Sequence, residues 1–159
     1  MSVILDLPLN EEEYSKTAYD YSGNGYDAKA VNIRFRPGHY GYAAHFKGNG
    51  YLKTKIVSSP VLDLTLPEFT IAFWHKPTGE DPFAPPTHLI FAFAFADNSI
   101  ESFQAPITLN KWDHWAIIRD GNIATVYKNT FPAGTIDLSS GNPVEYAVHQ
   151  HDANQTPFP

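Results

Sequence analysis

The chain has 159 residues, 17 acidic and 11 basic, a formal charge of -6 and no cysteine. A disulfide framework and thiolate chemistry are therefore excluded, and with no run of Lys or Arg a surface that tracks nucleic-acid phosphates is not expected. The longest hydrophobic run, Leu89 to Ala96, is far short of the ~20 residues of a membrane helix, and Met1 to Asn10 lacks the basic and apolar regions of a signal peptide.

Period-two alternation recurs along the chain, broken by clusters of Gly, Pro, Asn and Asp, as in all-β domains. Ser2 to Leu7, with Val3, Leu5 and Leu7 on one face, predicts a first strand. Asp20 to Asp27 predicts a loop around Asn24-Gly25. Ala28 to Phe35, Ala43 to Phe46 and Tyr51 to Lys55 predict short strands separated by Pro37-Gly38 and Gly48-Asn49-Gly50. Phe69 to His75 alternates with both faces at least half buried. Glu80 to Pro86, with three prolines, predicts an exposed loop. Leu89, Phe91, Phe93 and Phe95 share one face of the next strand, expected to point into the core. Trp112 to Arg119 and Ile123 to Lys128 flank Asp120-Gly121-Asn122 as a hairpin, and Phe131 to Leu138 pairs on after Asn129-Thr130. The polar end holds one short candidate strand around Tyr146 to His149, then an extended arm from Asp152 to Pro159.

Four stretches in order carry a resemblance: Tyr19-Asp20-Tyr21-Ser22-Gly23-Asn24-Gly25, Tyr40-Gly41-Tyr42-Ala43-Ala44-His45-Phe46-Lys47-Gly48, Glu68-Phe69-Thr70-Ile71-Ala72-Phe73-Trp74-His75-Lys76-Pro77, and Trp112-Asp113-His114-Trp115-Ala116-Ile117-Ile118-Arg119-Asp120-Gly121. Together they resemble the laminin-G-like branch of the concanavalin A-like lectin and glucanase superfamily. The resemblance implies an all-β, two-sheet antiparallel jelly-roll sandwich. Residues 1–138 would form the sandwich, and residues 139–159 a C-terminal tail or arm of the same single domain. Two features depart from the family. No closing strand of the form D-E-V-R-I-Y follows the last hairpin, and Asn129-Thr130 stands where N-G is usual. An edge beside Val3 to Leu7 is then expected to be covered by a neighbouring chain's arm rather than by this chain's own tail.

Catalytic apparatus is not visible. The paired carboxylates of glucanases, E-x-D-x-E on one strand, are absent, and consecutive Glu11, Glu12 and Glu13 cannot share a strand face. No G-x-S-x-G elbow occurs. Asp20, Asn24 and Asp27 offer oxygens in one loop that could hold calcium, against the simpler reading of an Asx-stabilised turn, which is preferred. His149, His151 and Asp152 have a spacing that can hold zinc or nickel, weighed below coincidence in a polar tail. Trp74, Trp112 and Trp115 are read as core residues rather than a sugar platform. Tyr19, Tyr21, Tyr26, Tyr40 and Tyr42 fall in or beside loops and suit a ligand or partner surface.

Taken with the resemblance, these features imply a non-enzymatic interaction protein. The leading expectation is a virion structural, decoration or attachment component of a tailed bacteriophage, made in the host cytoplasm and partnered by other virion proteins or by itself. The alternative is a carbohydrate-binding module, with or without calcium; an unusual glycan-active enzyme ranks third. Neither nucleic acid nor membrane is expected as a partner, and no cofactor beyond that calcium.

Overall fold

The computed structural model describes residues 3–54, 66–79, 85–141 and 145–152, the last through its backbone. The described chain is all-β and antiparallel. It divides into two compact units, Met1–Asp63 and Leu64–Pro159.

The first unit is a three-stranded sheet in the order β1 (Thr17–Ala18), β2 (Ala28–Pro37), β3 (Tyr42–Thr54). Ala28, Ala30, Ile33 and Phe35 of β2 are buried on one face. Their parity changes between Ala30 and Ile33, which would throw half of them to the wrong side in a regular strand. A bulge corrects it: the register shifts between Val31 and Ile33, and Asn32 takes a φ of 53°. Residues 47–50 answer on β3, which is therefore one long strand instead of the two expected. Gly50 is needed there, since a Cβ would stand 2.7 Å from the Asn32 carbonyl oxygen. Ala18, Leu7, Leu9, Ala44 and Leu52 complete this core.

The expected strand at Ser2 to Leu7 does not form in its described part, residues 3–7. The outer edge of β2 is already taken, because Phe35 N–H donates to the Glu13 carbonyl and Ala30 N–H to that of Lys16. Residues 3–9 run instead along the Asp20 loop.

The second unit holds two sheets, β10 (Glu145–Asp152), β5 (Pro86–Ala94), β6 (Ile100–Pro106), and β4 (Glu68–His75), β7 (Asp113–Asp120), β8 (Ile123–Lys128), β9 (Phe131–Asp137). Leu89, Phe91, Phe93, Phe95 and Ala105 from the first meet Trp115, Ile117, Ala124, Val126, Ile136 and Leu138 from the second in one core. This is a sandwich-like packing of two sheets. The phenylalanine face of β5 points inward as expected, and Ile90 and Ala92 on its other face are buried too. Pro86, expected in a loop, is the first residue of β5, a position where a missing ladder donor is tolerated. The chain's own tail supplies β10, paired along β5 from Glu145 opposite Ala94 to Asp152 opposite Pro86. The expected arm beyond Asp152 lies outside the described residues.

Both hairpins of the four-stranded sheet turn in two residues. Gly121 has the positive φ, 59°, that the first position of a type II′ turn requires, whereas Asn129 and Thr130 both have positive φ, 50° and 75°, the type I′ pattern. β6, Ile100–Pro106, is a strand not expected from the sequence.

Candidate functional site

Asp20 organises the loop that carries most of the predicted site. Its Oδ1 accepts the backbone N–H groups of Asp6 (3.0 Å) and Ser22 (2.9 Å). Its Oδ2 accepts the Ser22 hydroxyl (2.8 Å) and the Tyr26 N–H (2.9 Å). Desolvation raises this carboxyl's pKa, but the three amide donors and the hydroxyl outweigh it and hold the group well below the usual carboxylate range. Asp27 Oδ1 in turn accepts the Asp20 N–H at 2.9 Å. Asn24 acts as a donor, from Nδ2 to the carbonyls of Val3 (3.2 Å) and Ile4 (3.0 Å). The three residues considered for calcium are thus brought together, with Asp20 using both oxygens on donors of the protein itself. Among the described residues, no group of three or more His, Asp or Glu side chains converges as metal ligands would.

This network fixes the wall of an open hollow of about 1080 Å³ in the first unit, lined by Tyr14, Tyr19, Tyr21 and Tyr42 together with Glu11, Glu12 and Glu13. Two side chains hold tyrosine backbones in place. Glu11 Oε1 accepts the Tyr19 N–H at 2.8 Å, and Asn10 Oδ1 accepts the Tyr42 N–H at 2.7 Å. The second contact requires Gly41, at a φ of 69°, because a Cβ there would clash with Asn10 Oδ1. All four tyrosines are exposed. Of the expected contact tyrosines, Tyr19, Tyr21 and Tyr42 therefore share the hollow. Tyr26 is half-buried and is tied to Asp20 through its backbone, and Tyr40 stands on the β2–β3 turn against the His39 ring. Sequence reasoning missed Tyr14, whose only signal is its place directly after the acidic run.

The hollow offers π-faces beside carboxylates, a surface suited to hydroxylated rings or to cations. The protein already uses it in the second way: the Arg34 guanidinium lies 5.3 Å from the centre of the Tyr14 ring, with Nη1 3.9 Å from Glu13 Oε1.

In the second unit, Asp113 is buried and receives Lys128 Nζ at 3.2 Å and Asn129 Nδ2 at 2.7 Å, with Lys111 Nζ at 3.7 Å. Burial pushes its pKa up, and these three partners more than offset it, so the carboxyl titrates below its ordinary value. Lys128 also lies 5.0 Å from the centre of the Trp115 ring and donates to the Pro106 carbonyl. Both oxygens of Asp113 are engaged by side chains of the protein itself, which makes the cluster a tie between strands. Trp115 is fully buried as expected, but Trp74 is 44% exposed, a correction to its reading as core. β4 alternation puts Phe69, Ile71 and Phe73 against the core, and so Trp74 outward, edge-on to His114 at 5.2 Å. The side chains of His149, His151 and Asp152 lie outside the described residues.

Comparison of the chain with protein families, curated proteins and solved structures finds no match.

Proposed function

We propose that this chain is a non-enzymatic recognition and assembly protein that works through the tyrosine-lined hollow. The observation that carries the reading is the convergence of four exposed tyrosines on one concavity whose wall is held by the Asp20 network. Rigid aromatic anchors on a preorganised loop bind at low entropic cost. The role most in keeping with the resemblance to laminin-G-like jelly rolls is a virion structural, decoration or attachment component. The test is sedimentation of the purified chain with particles isolated from its source. Binding at a fixed multiple copy number, lost in a Tyr14→Ser/Tyr21→Ser variant that melts normally, supports the reading. Equal binding by that variant rejects the hollow as the contact.

A second reading, a carbohydrate-binding module, is favoured by the tyrosine faces lying beside carboxylate acceptors, the pairing that sugar rings use. A glycan array probed with and without calcium decides it. Calcium-independent glycan binding abolished by the same double variant would move the function to this reading, and release of sugar products would overturn the non-enzymatic assignment.

A further inference from the structure

The sheet of the first unit has one buried face and one charged face. Between Ala28 and Thr54 the sequence contains five Lys or Arg residues and no Asp or Glu, in a chain of net charge -6. Strand register gathers four of these cations. Lys29 stands directly opposite Lys53, and Arg34 and Arg36 follow on the same outward face once the bulge at Asn32 has reset the alternation. Like charges directly opposite in a sheet are destabilising, so folding alone does not favour this arrangement. Among the described residues, no carboxylate lies within ion-pair distance of Lys29, Arg36 or Lys53, whereas Arg34 has Glu13.

The same unit carries the opposite charge nearby. Its first 27 residues hold six carboxylates and one lysine, and three of those carboxylates line the hollow beside the tyrosines. Arg34 shows how a basic side chain settles there, over a tyrosine ring and against a glutamate.

From this complementarity we infer that the cationic face of β2 and β3 docks on the tyrosine-carboxylate hollow of a second copy of this chain. The contact rests on the proposed assembly role and names its partner. Charge steers the two surfaces together, and lysine or arginine seated on tyrosine faces supplies the attraction that remains at short range. A second copy fits better than a nucleic acid, because the residues outside this face carry a large negative excess that repels a polyanion of high charge density, whereas a second copy presents a local cluster of three carboxylates beside tyrosine faces at the hollow.

The test uses the full chain in two charge-reversed forms, Lys29→Glu/Lys53→Glu and Glu12→Lys/Glu13→Lys, with melting curves to establish that both fold. Sedimentation velocity should show wild-type self-association at low salt that weakens as salt is raised past physiological strength. Each variant alone should associate at least about tenfold more weakly. An equimolar mixture of the two should recover association, because each reversed surface meets its complement. A wild-type chain that stays monomeric at low salt, variants that associate as the wild type does, or a mixture without recovery overturns the inference. Binding of a polyanion such as heparin or single-stranded DNA by a monomeric wild type would do so as well, assigning the cationic face to another partner. None of these results touches particle or glycan binding lost in the Tyr14→Ser/Tyr21→Ser variant, so the two readings fail separately.

Discussion

Asn129 donates from Nδ2 to Asp113 Oδ1 at 2.7 Å while its own Oδ1 accepts the His114 backbone N–H at 2.9 Å. One amide thus ties the β8–β9 turn to the start of β7 and completes the shell of a buried carboxylate. Its neighbour Thr130 carries a φ of 75°.

The folded-state pKa of Asp113 lies below the ordinary 3.8, since Asn129, Lys128 and Lys111 outweigh the burial that raises it. As pH falls, the unfolded chain takes up the proton first. The stability this group contributes is therefore complete above about pH 4 and is lost as pH drops through the folded-state value. Asp113→Asn should cost about 1–3 kcal/mol at neutral pH. Urea titrations should show that cost shrinking below about pH 4, and a pH-independent difference would remove the ionised carboxylate from the account.

Thr130→Gly should stabilise the protein. A β-branched residue in the left-handed region costs about 1–2 kcal/mol, and the added freedom of glycine in the unfolded chain gives back part of the gain. A net rise of about 0.5–1 kcal/mol in chemical denaturation is expected. Thr130→Ala, which keeps a Cβ at positive φ, serves as the control and should gain less.

Phe93 is fully buried, its ring centre 6.3 Å from that of Phe69. Phe93→Ala should destabilise by about 3–5 kcal/mol, the usual cost of emptying a core aromatic site. A loss below about 1 kcal/mol would mean that the inner face of β5 is not the core of the second unit.

Asp20→Ala removes the acceptor of three backbone amides, those of Asp6, Ser22 and Tyr26. Hydrogen exchange at these positions should accelerate while the strands of the second unit keep their protection. Because both Asp20 oxygens already bond to protein donors, wild-type melting curves in calcium and in chelator should coincide. A higher melting temperature in calcium would show a cation competing for the loop.

Much of the architecture was legible in the residues. Phe91 and Phe93 marked the inner face of β5, and Gly121-Asn122 and Asn129-Thr130 marked both hairpins of the four-stranded sheet, because alternation and turn chemistry are local properties. β6 was missed because its inward pattern, Phe103 and Ala105 continuing to Ile107, covers only the second half of Ile100–Pro106, while Glu101 and Ser102 offer no apolar side chain that extends it and Pro106 interrupts the run. The opening strand was over-read: Val3, Leu5 and Leu7 alternate, but the β2 edge that could pair with them goes to residues 13–18, a competition no local pattern reports.

For the site, the sequence by itself determined which chemistry was present: tyrosines in the loops, an acidic run at Glu11 to Glu13, and polar turn residues from Asp20 to Asp27. Tertiary structure alone decided what these become. Asp20 is committed to amides of its own loop and to that of the distant Asp6, Tyr14 joins Tyr42 across a single hollow, and cations scattered singly between Lys29 and Lys53 gather on one face of a sheet. Each of these depends on strand register and on the bulge at Asn32. A one-residue shift there would exchange the buried and solvent faces of β2, so the cationic face exists only once the long-range pairing of β2 with β3 is made.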